Sequence, residues 1–157
     1  MHLQRQQEDE WCWAAVAVSV DQYFNDASAR TQCDLVSDVL GVKCCGDSDD
    51  CDKPNDLEKA LGNKIGVGKL REPVQNRALE FAEIRDQLAQ GFPVCVRIEW
   101  PDGGGHFVVI DGADTVGGVQ AVHIQDPLHD ATTISYRDFL TRYRLVGRWT
   151  DTYLVQP

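Results

Sequence analysis

Gln6-Gln7-Glu8-Asp9-Glu10-Trp11-Cys12-Trp13-Ala14-Ala15-Val16-Ala17-Val18-Ser19-Val20 sets one cysteine between two of the chain's four tryptophans, where a polar segment turns apolar. From Trp11 to Val20 only Ser19 is polar. Neither a helical stripe nor strict alternation is present, so periodicity by itself does not separate a buried helix from a buried strand. The paired alanines, and the polar Asp21-Gln22 before Tyr23-Phe24, favour a helix ending in the turn-like Asn25-Asp26-Ala27-Ser28. Asp9 is then the expected N-cap, which puts Cys12 in the first turn.

A thiol in a first turn faces unpaired backbone N–H groups and the positive end of the helix dipole, both of which favour the nucleophilic thiolate. Free cysteine is also among the most buried residue types. Cys12 alone therefore reads with equal force as a nucleophile or as a small core hydrophobe.

Working outward, 157 residues with 43% hydrophobic content suit one domain with a substantial core. No run of about 18 apolar residues occurs, so no membrane span is expected. Met1-His2-Leu3-Gln4-Arg5 has no apolar signal-peptide core, which fits either a cytosolic protein or one whose leader has been removed. Fifteen basic against 25 acidic side chains give a formal charge of −10, which argues against nucleic acid or an anionic membrane as partner. Asp47-Ser48-Asp49-Asp50-Cys51-Asp52 reads as a solvated acidic loop. It lacks the twelve-position calcium pattern, so no metal is expected there.

Of six cysteines, Cys33, Cys44, Cys45 and Cys51 cluster, whereas Cys12 and Cys95 stand apart. Adjacent Cys44-Cys45 cannot easily both turn onto one zinc ion. Two local disulfides fit better, with Cys33 joined to one of the adjacent pair and Cys51 to the other. They imply an oxidising compartment.

Short helices are expected at Asp34–Gly41 and Asn55–Gly62, the second capped by Asp56 or Asn55, and residues 63–76 look irregular. Ala78–Gln90 is the clearest amphipathic helix, with Leu79, Phe81, Ile84 and Leu88 near one face. Beyond Gly91 strands dominate: 94–100, 106–112, 119–125, 132–135 and 147–155, with a helix at 136–143. Cys95 reads as structural. Helices first and strands afterwards indicate an α+β fold with a mainly antiparallel sheet. One domain over 1–157 is expected, helical over 1–91 and β over 92–157.

A cysteine nucleophile needs a base, and the base an orienter. Of four histidines, His2 lies in the terminal segment, His129 in a polar loop, and His123 inside a strand where a structural role is expected. His106 opens an apolar strand directly after three glycines, which hold it on rigid backbone and leave room for a substrate. Asp126 ends the following strand, and antiparallel pairing brings that end beside the start bearing His106. Asp111 and Asp114 are too near His106 along one strand to fold back onto it. A carboxylate on one imidazole nitrogen sets the tautomer and stabilises imidazolium opposite Cys12.

These residues resemble the papain-like cysteine peptidases, in particular the bacterial branch of plant-pathogen effector proteases and their secreted relatives. Trp11-Cys12-Trp13-Ala14-Ala15 is similar to that branch's nucleophile motif, Gly104-Gly105-His106-Phe107-Val108-Val109-Ile110-Asp111-Gly112 to its histidine motif, and Gln125-Asp126-Pro127 to its third-residue motif. The clustered cysteines and Trp149-Thr150-Asp151-Thr152-Tyr153 also resemble secreted members. The resemblance implies a papain-like fold, Cys12 as nucleophile, His106 as base and acid, and Asp126 as orienter. It also implies that Gln6, six residues before Cys12, donates to the oxyanion, with Gln7 the rival by composition. Asp126 stands where papain has Asn, and Glu8, Asp9 and Glu10 place three carboxylates beside the nucleophile. Those acids oppose thiolate formation and are expected to bias the cleft toward basic or neutral substrates.

The leading expectation is therefore a secreted or target-cell-delivered, monomeric cysteine endopeptidase acting on protein or peptide substrates without cofactor. Acyl transfer or deamidation by the same triad is the alternative within catalysis. Outside it stand an idle papain-like binding module and a disulfide-stapled domain with Cys12 as core.

Overall fold

The computed structural model describes residues 1–46 and 49–157; Asp47 and Ser48 of the expected acidic loop lie outside the described residues. The first apolar run forms helix α1 (Cys12–Phe24), buried at every position from Cys12 to Val20. It has no polar face because it is enclosed: the sheet lies on one side, and α2 (Gln32–Leu40) and α3 (Leu57–Leu61) lie on another. Ser19 fits this setting by donating to the Ala15 carbonyl at 2.7 Å and accepting from Gln4 N–H at 2.9 Å. Trp11, rather than the expected Asp9, is the N-cap, and no side chain caps this end. Cys12 is therefore the first helical residue.

Helix α2 starts two residues before the expected Asp34. Thr31 and Asp34 form a capping box there, and Gly41 closes the helix in the left-handed region at φ 71°. Asp56 caps α3 by accepting from Glu58 N–H. Helix α4 (Phe81–Ala89) begins three residues later than its periodicity predicts. Glu83 reaches back to the Glu80 N–H at 2.7 Å and holds Arg77 in a two-bond pair, fixing the start beyond Leu79.

The strands β1 (Val94–Glu99), β2 (Gly105–Val116), β3 (Val119–Gln125), β4 (Thr132–Ser135) and β5 (Arg148–Leu154) form one sheet in the order β4-β3-β2-β1-β5. Every neighbour is antiparallel. The expected α+β class with helices first and an antiparallel sheet afterwards is what the chain forms. Strand β2 runs four residues past the expected Gly112, with a bulge at Asp111, and helix α5 (Tyr136–Thr141) stops short of Tyr143.

Alternation along the strands separates two cores. Cys95, Phe107, Val109 and Tyr153 pack with α1 on one face, and Val96, Ile98, Val108 and Ile110 pack with α4 and α5 on the other. Cys95 is fully buried and its thiol is pushed up to about 12 by burial, in keeping with a structural role.

Disulfides Cys33–Cys45 and Cys44–Cys51 staple the segment after α2. Among the described residues no helix is long and apolar enough to cross a membrane.

Candidate active site

The segment before α1 is tied down from several directions. The Trp11 indole donates to the Cys51 carbonyl at 2.9 Å and the Trp13 indole to the Lys53 carbonyl at 3.0 Å, while Glu10 N–H donates to Asp52 at 2.7 Å. Both tryptophans are thus hydrogen-bonded to the disulfide-stapled segment, which sets the position of Cys12 between them. Upstream, buried Gln32 at the start of α2 accepts from Gln7 N–H at 3.0 Å. It donates to the Arg5 carbonyl at 2.8 Å and to the Gln4 side chain at 3.0 Å.

His106 stands at the start of β2, opposite Ile98 of β1. Gly103 and Gly104 turn the chain at φ 97° and 79°, a region that strongly favours glycine. At Gly105 a Cβ would meet the Arg97 guanidinium at 3.0 Å, so the third glycine serves close approach. Pairing of Val109 with Gln125 brings Asp126 back beside the beginning of β2, as antiparallel geometry predicts.

Asp126 has no exposed side-chain surface. Its Oδ1 accepts from His106 Nε2 at 2.8 Å, from Leu128 N–H at 2.8 Å and from His129 N–H at 3.2 Å. Its Oδ2 accepts from the Tyr143 hydroxyl at 2.6 Å. Burial alone would raise its pKa, but the bond and charge of His106, then Tyr143 and Leu128, hold the carboxyl far below the usual range. It is therefore ionised, and Nε2 is the donor.

The other nitrogen of His106 is left to Cys12, which is 8% exposed and interacts with the imidazole through its side chain. Burial works against the charged imidazole, yet hydrogen bonds to Asp126 and Cys12 and the Asp126 charge lift it to about 9. These contacts favour the imidazolium form of His106. The Trp100 ring stacks on it at 6.3 Å between centroids, and His129 meets its edge at 6.5 Å.

Gln6 joins the group through backbone and side chain. Its N–H donates to the Pro127 carbonyl at 2.9 Å, locking the Gln6 segment to the Asp126 turn. Its Nε2 donates to the carbonyls of Glu8 at 3.0 Å and Asp9 at 2.6 Å, and its buried Oε1 has no partner among the described residues. The rival Gln7 is exposed.

Of the remaining candidates, His123 pairs with Asp111 at 2.6 Å, away from Cys12, which accounts for both residues structurally. Cys33, Asp34 and Cys45 form the one grouping of potential metal ligands among the described residues, but its two sulfurs are joined in a disulfide.

Four further residues carry no sign in the sequence of their part in this site. Tyr143 falls at the end of the expected helix 136–143, Gln32 carries no motif, and nothing near Trp11 or Trp13 announces their indole partners. Each acts across more than 15 residues of sequence, and no local spacing reports such a contact.

A cleft passes over Cys12. One side holds Asp9, Trp100, His106 and Leu128, and the other holds Trp13, Asn55, Arg97 and Phe107.

Comparison with curated proteins finds no match. The family described as papain-like cysteine protease AvrRpt2 matches residues 1–144, and because that span is most of the chain, the protein belongs to this family.

Proposed function

We propose that the chain is a cysteine endopeptidase that cleaves proteins or peptides through an acyl-enzyme on Cys12. The observation that supports this most is the buried line from the Cys12 sulfur through the His106 imidazole to Asp126, with the imidazole held charged. In the resting pair the Cys12 proton already resides on His106, and the thiolate attacks the scissile carbonyl. The oxyanion forms at the start of α1, where the Cys12 N–H has no intrahelical acceptor. Gln6 supplies a second donor by releasing Nε2 from one of the Glu8 and Asp9 carbonyls, and losing such a donor costs roughly 10²–10³ in rate. His106 then protonates the leaving amine. A water next attacks the thioester, His106 takes its proton, and the acid product leaves with Cys12 restored.

In this reading the helical part, 1–91, and the sheet part, 92–157, form one papain-like domain with the cleft between them. The two disulfides support a working life outside a reducing cytosol, as in secreted effectors.

Iodoacetamide labelling near neutral pH followed by intact mass tests the nucleophile. One adduct is expected, lost in Cys12→Ala, because Cys95 is fully buried with a thiol pushed up to about 12. Cleavage-site profiling of a proteome with wild type and Cys12→Ala tests the peptidase. An unlabelled Cys12, or identical profiles, would sink the proposal.

A further inference from the structure

Beyond the residues already described, the cleft continues from the Trp13 side of Cys12 into a cavity of about 490 Å³ that shares Asn55, Arg97 and Phe107 with it. Its wall holds Tyr153, which is 4% exposed, and whose hydroxyl makes no hydrogen bond among the described residues. That hydroxyl opens into the cavity and is free to bond a polar group of a ligand lying there.

The sign of that group follows from the surrounding charges. Asp56, Glu58 and Asp151 line the cavity against one cation, Arg97. Arg97 is already occupied: its Nη1 lies 3.6 Å from Glu99, 3.8 Å from Asp151 and 3.1 Å from the Thr150 hydroxyl. Asp56 and Glu58 have no cation within ion-pair distance among the described residues. Asp56 uses only Oδ1 to cap α3. The Tyr153 hydroxyl feels the sum: after burial, Asp56 and Asp151 raise its pKa, with Glu58 adding and Arg97 opposing. Phe107 and Tyr153, in edge contact at 5.8 Å, give an apolar wall leading to this acidic end.

Resting on the peptidase reading, we propose that this cavity is a substrate subsite on the acyl side of the scissile bond and takes a lysine or arginine side chain. His106 must protonate the leaving amine, so the amine side is the part of the cleft that holds His106, Trp100 and Leu128. The opposite side, running past Trp13 into the cavity, holds the acyl part. The methylene stem lies along Phe107 and Tyr153 while the cationic head meets the Tyr153 hydroxyl, Asp56 and Glu58.

The test uses peptidyl chloromethyl ketones with lysine, norleucine or glutamate at each acyl-side position, with Cys12 modification followed by intact mass. At one position lysine is expected to label about 10-fold faster than norleucine, the factor for one charged hydrogen bond. The variant Asp56→Asn/Glu58→Gln, which keeps an acceptor for the α3 cap, is expected to bring that ratio close to one, and Tyr153→Phe to lower it. Equal rates for lysine and norleucine at every position, or a ratio that survives the double substitution, overturns the subsite. Peptides of the preferred sequence that label Cys12 as chloromethyl ketones but are not hydrolysed overturn the peptidase reading and leave the subsite standing. No labelling by any reagent overturns both.

Discussion

Asp126→Asn removes a charge from the centre of the candidate site while keeping its shape. The amide oxygen can still accept from His106 Nε2 and the Leu128 and His129 N–H groups, and the amide nitrogen can donate to the Tyr143 oxygen where Oδ2 stood. The lift of His106 from 6.5 to about 9 corresponds, at about 1.4 kcal/mol per pKa unit, to about 3 kcal/mol in favour of imidazolium. Burial opposes the charge, and Asp126 is the largest of the groups that outweigh it, with Cys12 contributing as well. Losing the carboxylate charge is therefore expected to lower His106 by about 1–2 pH units. Two measurements check this: NMR titration of the His106 ring, and hydrolysis of fluorescent casein against pH, whose alkaline limb should fall by the same amount. Stability should follow. A raised histidine stabilises the fold fully below about pH 6.5 and loses that contribution through about pH 9, whereas a depressed carboxylate contributes above about pH 4 and is lost as pH falls. The variant should flatten that window. A His106 that still titrates near 9 in Asp126→Asn would refute the assignment of its charge to Asp126.

Tyr143→Phe leaves Oδ2 of buried Asp126 without its donor, so thermal unfolding should show a loss of about 1–3 kcal/mol, with kcat reduced more than KM because the orienter loosens. Cys44→Ser/Cys51→Ser opens the loop that receives the Trp11 indole; loop closure implies a loss of about 2–3 kcal/mol, and the iodoacetamide rate at Cys12 should fall as its flanking anchors relax. An unchanged rate would show that the tryptophans hold without the staple. Gln32→Leu should lower kcat by loosening the segment that carries Gln6, and it should add almost nothing to a Gln6→Ala background. Full additivity in that double-mutant cycle would show that Gln32 acts on stability alone.

Much of the fold was written in local pattern. The alternation in 94–99, the Gly41 stop, the Asp56 cap and the glycine turns each depend on a few neighbouring residues, and each lies where the chain predicts it. Boundaries moved where a contact at short range overrode periodicity, as with Glu83 at the start of α4. The first helix carries the weakest local pattern, because enclosure by the sheet, α2 and α3 leaves it no polar face. For the site, antiparallel pairing of two successive strands is enough to set Asp126 beside His106. Tyr143, Gln32 and the disulfide segment reach it from elements far away in sequence, and only packing reveals them.

The acidic run Glu8-Asp9-Glu10 looked from sequence like an obstacle to a thiolate. Much of its structural work is done by backbone: the Glu8 and Asp9 carbonyls hold the Gln6 amide, and the Glu10 N–H holds Asp52. Asp9 and Glu10 are exposed, where water and salt screen their charges from the buried sulfur. The imidazolium of His106, by contrast, interacts directly with Cys12 in a nearly enclosed setting, where a charge is felt far more strongly. A neighbouring buried imidazolium thus acts on Cys12 more strongly than the exposed Asp9 and Glu10 do.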